Sequence, residues 1–210
     1  MKRHLRIPLF LLISLLNSLA SYASNEMSFH QLGVKTGMSD NYIQAIERDK
    51  YGFMWFATRD GLNRYDGYHF KTYTTLRQGA YNNSVEWVAE DAAGNIWIKT
   101  PVNYCFYDRE MDELDNRTEL LLHKIGIFES PRQLFIDDDK NLWCVADNTL
   151  YYYIFSDETL YKQSLPGSVN IADMACRNKR CYILMTDGNV INIDWMHKSI
   201  TKLFHTEIHT

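Results

Sequence analysis

Asp137-Asp138-Asp139-Lys140-Asn141 sets acids at alternate positions, the pattern a calcium loop uses. Two residues defeat that chemistry, because Leu142 stands where the loop needs glycine and Asn148 where it needs a bidentate Glu. A solvated acidic turn is the simpler reading. Cysteine is the next candidate ligand, but Cys105, Cys144, Cys176 and Cys181 lack any C-x-x-C metal spacing. Cys176 and Cys181 flank Arg177-Asn178-Lys179-Arg180 as two strands flank a hairpin loop, so in an oxidising compartment they can bridge or stay reduced. Cys105 and Cys144 read as small buried residues. The seven histidines are scattered and make no catalytic pairing. No metal site, cofactor or catalytic residue is expected from this inventory.

Indoles offer a different chemistry, stacking on sugar rings. Three tryptophans end similar heptads: Asp49 to Trp55 reads D-K-Y-G-F-M-W, Asp91 to Trp97 D-A-A-G-N-I-W, and Asp137 to Trp143 D-D-D-K-N-L-W. A weaker fourth copy puts Tyr182 at the tryptophan position, with Asp187-Gly188 echoing Asp60-Gly61. A ligand pocket needs different residues from different repeats, so recurrence at one position favours packing. Asp49, Asp91 and Asp137 have an equally structural explanation, since Asp closes tight turns with its own side chain.

Positioning these residues requires a repeated element. Successive tryptophans lie 42 and 46 residues apart, which gives repeats at about 38–80, 81–127, 128–167 and 168–206. In the first repeat, Ile43, Ala45 and Ile46 precede a turn, and Met54 to Thr58, Leu62 to Tyr65 and Phe70 to Tyr73 follow at β spacing. Asp60-Gly61 and Asp66-Gly67 supply the positive φ that hairpin turns demand. Four short antiparallel strands in some forty residues make one β-propeller blade. One such sheet cannot bury both faces, which is the physical reason to repeat it. The fold class is therefore all-β, about four four-stranded antiparallel blades forming an incomplete ring.

Composition agrees, with 14% aromatic and 46% hydrophobic residues. It excludes a disordered tail, and a net charge of −4 over 210 residues gives no sign of nucleic-acid binding. Lys2, Arg3 and Arg6, the apolar run Leu9 to Leu16, and small residues at Ser21 and Ala23 read as a secretory signal peptide over residues 1–23. Its removal takes away three cations and no acid, leaving residues 24–210 distinctly acidic. That apolar run is far short of the ~20 residues that span a bilayer. A periplasmic location with no membrane span after cleavage is expected.

Met38-Ser39-Asp40-Asn41, followed by Tyr51-Gly52-Phe53-Met54-Trp55-Phe56-Ala57-Thr58-Arg59-Asp60-Gly61-Leu62-Asn63-Arg64-Tyr65-Asp66-Gly67, closely resembles the two-component regulator propeller repeat. The likeness covers residues 29–204 as periodicity and is strong over residues 38–73. The second repeat departs after Trp97, with Thr100-Pro101-Val102 where Arg59-Asp60-Gly61 would correspond. The resemblance implies the periplasmic sensor part of a Bacteroidetes-type hybrid two-component system. Such a receptor responds to oligosaccharide or another small ligand, through kinase, receiver and DNA-binding domains that this chain lacks. A truncated receptor is therefore expected, with a stand-alone binding or scaffold protein as the alternative and a carbohydrate-active enzyme the more remote one. Two carboxylates at a fixed spacing in a closed pocket, the requirement for glycoside hydrolysis, are not visible.

Phe29-His30-Gln31-Leu32 mimics Phe70-Lys71-Thr72-Tyr73 and is expected to be the outer strand of a preceding blade. Open end faces are costly: roughly 500 Å² at ~25 cal/mol per Å² forgoes about 12 kcal/mol per face. Self-association through those faces is expected.

Overall fold

The computed structural model describes residues 29–74, 83–166, 171–177, 179–197 and 199–205. The signal peptide expected at residues 1–23 lies outside the described residues. Two compact units are distinguished, Met1–Leu32 and Gly33–Thr210. In the first, residues 29–32 form neither strand nor helix and Phe29 is 88% exposed. The outer strand expected at Phe29-His30-Gln31-Leu32 is therefore not formed. Its apolar spacing matches a strand, but a strand exists only where a neighbour accepts its hydrogen bonds.

Gly33–Thr210 holds four antiparallel sheets of four strands, each running in sequence order. Sheet 1 contains β1 (Ile43–Arg48), β2 (Met54–Thr58), β3 (Gly61–Tyr65) and β4 (Phe70–Tyr73). Sheet 2 contains β5 (Trp87–Glu90), β6 (Ile96–Lys99), β7 (Tyr104–Asp108) and β8 (Glu113–Asp115). Sheet 3 contains β9 (Pro131–Ile136), β10 (Leu142–Ala146), β11 (Thr149–Ile154) and β12 (Thr159–Ser164). Sheet 4 contains β13 (Ile171–Arg177), β14 (Arg180–Met185), β15 (Asn189–Asp194) and β16 (Ser199–His205). No helix among the described residues is long and apolar enough to cross a membrane.

Alternation along the strands sends side chains to both sheet faces, and both faces of the middle sheets are apolar. Three cores result. Trp55, Ala57 and Leu62 of sheet 1 meet Val88, Ile96 and Ile98 of sheet 2. Trp97 and Tyr104 of sheet 2 meet Leu134, Leu142 and Cys144 of sheet 3. Trp143, Val145 and Tyr152 of sheet 3 meet Cys181, Ile183 and Ile191 of sheet 4. Among the described residues no core joins sheet 4 to sheet 1, so the ring is open.

Between β8 and β9 the chain inserts a short helix, α1 (Glu119–Leu122), and a 3-10 turn at His123–Ile125 that ends on Gly126 at φ 84°. Leu122 and Ile127 are fully buried in the seam between sheets 2 and 3. This insert accounts for the longer spacing from Trp97 to Trp143. The seam between sheets 1 and 2 is closed by a polar knot in which the Tyr73 and Tyr107 hydroxyls each donate to Asp112 at 2.6 Å. Burial opposes ionisation of Asp112, but hydrogen bonds from Lys71, Tyr107 and Tyr73 outweigh it and hold the carboxyl well below the usual range.

Candidate functional site at the turn face

Each first turn is built by one aspartate. Asp49, Asp91 and Asp137 follow β1, β5 and β9, and their amides donate to the carbonyls of Phe53, Asn95 and Asn141 at 3.0 Å. One carboxylate oxygen accepts the amides of those same three residues, each at 2.9 Å. The other accepts the indole Nε1 of Trp55, Trp97 and Trp143 at 3.0, 2.8 and 2.9 Å. All six side chains are buried. A carboxylate so occupied is not free to move protons for a substrate; it fixes the turn to the indole. Burial pushes the Asp137 carboxyl above its usual value despite the Trp143 hydrogen bond.

Sheet 4 departs from this plan. Tyr182 pairs with Ala175 and Asn192 and is 43% exposed, on the face turned away from sheet 3. Its turn has no closing aspartate. Cys176 and Cys181 pair directly across β13 and β14 and form a disulfide, with 4.1 Å between their Cα atoms. One further rung, Arg177 with Arg180, separates that pair from the turn, whereas pairing in the other sheets ends at Arg48 and Met54, Glu90 and Ile96, and Ile136 and Leu142. Cys105 and Cys144 are buried free thiols, both pushed up to about 12 by burial, so neither is a thiolate nucleophile near neutral pH.

The first three turns are laced to one another. The Lys50 amide donates to Glu90 at 3.0 Å and its Nζ to the Ala93 carbonyl at 2.9 Å. Arg109 spans Asp49 at 3.3 Å and the Gly94 carbonyl at 3.2 Å, and the Ala92 amide donates to the Lys140 carbonyl at 2.9 Å. Lys140 also forms an ion pair with Glu47, tying the turn of sheet 3 to the first strand of sheet 1. It does so from φ 62°, where the first two turns place Gly52 and Gly94, both at φ 91°. Lys140→Gly is expected to relieve the left-handed backbone while losing the ion pair, leaving stability within about 1 kcal/mol of the parent. Lys140→Ala keeps the strain and loses the pair, so it should cost about 1 kcal/mol more than the glycine variant in urea unfolding.

Beside these turns two cavities open. One, of about 740 Å³ between sheets 3 and 4, is lined by Asp139, Asn141, Tyr152, Phe155, Asp157 and Lys179. The Asn141 amide group reaches the Tyr152 hydroxyl at 3.4 Å, and burial pushes that phenol above its usual pKa, with Asp137 and Asp139 adding to the effect. The side chains of Asp139, Asp157 and Lys179 are exposed and make no ion pair among the described residues. The second cavity, about 490 Å³, lies beside the helical insert, with Trp97, Lys124, Ile125, Tyr153 and Glu158 on its wall.

Residues 37–60 match the two component regulator propeller family. The chain carries a regulator propeller repeat. That repeat spans the segment from Gly37 through the Asp49 turn to Asp60. A 37-residue segment is 51% identical to Histidine kinase P4 of Formosa agariphila, covering 18% of this chain and 3% of that protein. Among solved structures, the chain is similar to the extracellular domain described for a hybrid two component system of B. thetaiotaomicron, with 23% identity and a TM-score of 0.56. The match covers 84% of this chain and 26% of that one. A streptogramin B lyase structure matches at 12% identity and a TM-score of 0.50, over 82% of this chain and 57% of that chain. These structural likenesses establish the propeller fold beyond the regulator propeller repeat itself. The chain spans well under two thirds of each of these relatives.

The structural repeat residues and the cavity residues are therefore different sets. Asp49, Asp91, Asp137, Trp55, Trp97 and Trp143 sit behind the turns, whereas Asp139 and Lys179 project from turns and Asp157 from the loop between β11 and β12. The acidic turn at Asp137-Asp138-Asp139 signals one of these in sequence. Nothing local signals Lys179 or Asp157, which reach the same cavity only after sheets 3 and 4 stack.

One more carboxylate shapes sheet 4. Asp194 accepts from His197 Nδ1 at 2.9 Å, from the His197 amide at 3.2 Å and from Arg180 Nε at 2.8 Å. The His197 side-chain bond leads in holding its pKa at about 2, against an ordinary 3.8. The folded value lies below the unfolded one, so this stabilisation is complete above the ordinary value and is lost as pH falls through about 2. Asp194→Asn should accordingly flatten the acid limb of stability over that window, read by thermal melts in a pH series.

Proposed function

We propose that this chain is a non-catalytic, ligand-sensing propeller exported to the periplasm, with residues 1–23 as its export signal. In a hybrid two-component receptor it would report a glycan to a histidine kinase and so to transcription. The cavity between sheets 3 and 4 carries the reading. Phe155 is its part-exposed aromatic wall, with Tyr152 lining it from the core where its ring stacks on Trp143, while Asp139, Asp157 and Lys179 offer hydrogen-bonding groups with no protein ion partner among the described residues. Sugars are recognised by that combination of a flat apolar surface and polar groups at its rim. The regulator propeller repeat and the segment shared with a histidine kinase support signalling over catalysis.

The test is calorimetric titration of the full chain with a panel of plant, algal and host oligosaccharides. One or more should bind, and Asp139→Ala and Lys179→Ala should each weaken that ligand about tenfold, the effect of losing one charge-assisted hydrogen bond. Binding unaffected by both substitutions would place the ligand elsewhere, and an unresponsive panel would overturn the glycan assignment.

A further inference from the structure

Sheet 3 ends between the two cavities of the turn face. Alternation along β11 sends Tyr152 into the core shared with sheet 4 and Tyr153 into the core shared with sheet 2, and each lines the cavity on its own side. The loop after β11 repeats the division, with Ser156 and Asp157 on the first cavity and Glu158 on the second. Ala92 and Phe155 line both. Ala92 brings just a methyl group to the divide, and its amide is fixed on the Lys140 carbonyl at 2.9 Å. Phe155 is partly exposed, stands edge-to-face against Tyr153 with ring centroids 4.9 Å apart, and donates its amide to Asn141 Oδ1 at 3.3 Å. One ring is thus held in place at the border of both cavities. The second cavity owes a wall to the helical insert: Leu122 and Ile127 anchor the insert in the seam, while Leu121, Lys124 and Ile125 line the cavity. Lys124 and Glu158 are exposed and make no ion pair among the described residues.

We infer that a single ligand occupies both cavities, a linear, neutral oligosaccharide that crosses Phe155; this rests on the sugar-binding reading of the first cavity. Stacked sheets lie about 10 Å apart, so a ligand reaching from one side of sheet 3 to the other is longer than a single sugar ring. A chain of rings can lay one of them on Phe155 and set its neighbours in the cavities on either side. Lys124 and Glu158 then serve the second cavity as Asp139, Asp157 and Lys179 serve the first. Acids outnumber lysines along this path, Asp139, Asp157 and Glu158 against Lys124 and Lys179, so carboxylates or sulfates on the chain would meet net repulsion. Once one end is held, contact with the second cavity is intramolecular, and affinity grows with chain length.

Calorimetric titration of the full chain with gluco-, xylo- and manno-oligosaccharide ladders, each from the single sugar to the hexamer, tests this, with oligogalacturonides as the acidic counterpart. In the ladder that binds, affinity should rise at least about tenfold from the single sugar to the chain that reaches both cavities, then level off. Phe155→Ala should abolish most of that gain. Lys124→Ala and Glu158→Ala, both on exposed side chains, should each weaken the longer members about tenfold more than the single sugar, and they keep the test open if Phe155→Ala misfolds. A single sugar that binds as tightly as the hexamer, while Asp139→Ala weakens both, overturns the span and leaves the first cavity standing as a sugar site. An acidic ladder that binds more tightly than the neutral ones overturns the neutral assignment. Ladders that all fail to bind remove the glycan reading together with its extension.

Discussion

Trp143→Ala should lower the free energy of unfolding by about 3–5 kcal/mol, the range for emptying a large aromatic site in a core. The indole is fully buried, stacks on Tyr152 at 3.9 Å between ring centroids, and lies in the core shared by sheets 3 and 4. Its loss also strips Asp137 of the Nε1 donor, leaving a buried carboxylate under-satisfied. Neighbouring β-sheets cannot collapse into the space without breaking strand pairing. Guanidinium unfolding followed by tryptophan fluorescence and circular dichroism measures the change. A loss under about 1 kcal/mol would mean that the seam does not depend on the indole.

Asp91→Ala should cost about 3 kcal/mol, because it leaves several donors without an acceptor at once. Those donors are Trp97 Nε1 at 2.8 Å, the Asn95 amide at 2.9 Å and Asn95 Nδ2 at 2.8 Å. Asp91→Asn keeps the shape but presents an amide that can accept on one side only, so it should recover about half of the loss. Asp138→Ala is the control. Its side chain is 72% exposed and its pairing with Arg177 is a surface ion pair, worth at most about 1 kcal/mol. Equal effects at residues 91 and 138 would mean that the aspartate does not hold its turn.

The first repeat was legible because its signals are local. Asp-Gly pairs fixed two turns, alternation fixed the strands between them, and β2 and β4 run over Met54–Thr58 and Phe70–Tyr73. The helical insert was hidden, since Glu119-Leu120-Leu121-Leu122 is too short for a helical period to show and is held by Leu122 in a distant seam. Phe29 to Leu32 shows the converse, a strand-like spelling without a pairing neighbour. At the turn face the sequence exposes the aspartates and tryptophans that build the platform. The groups lining the cavity converge from repeats 3 and 4 only in three dimensions, as do Lys140 and Glu47, whose contact crosses from sheet 3 to sheet 1.

Lacing stops at the third turn, and this makes the molecule unequal along its length. Sheets 1 to 3 share main-chain and side-chain bonds between their turns, while among the described residues sheet 4 adds only the exposed Arg177–Asp138 pair on that side. Amide protons of β14 and β15 should therefore exchange with deuterium by sub-global opening, well before those of β6 and β10. The stack would then come apart in stages from one end, with no single midpoint describing the whole chain.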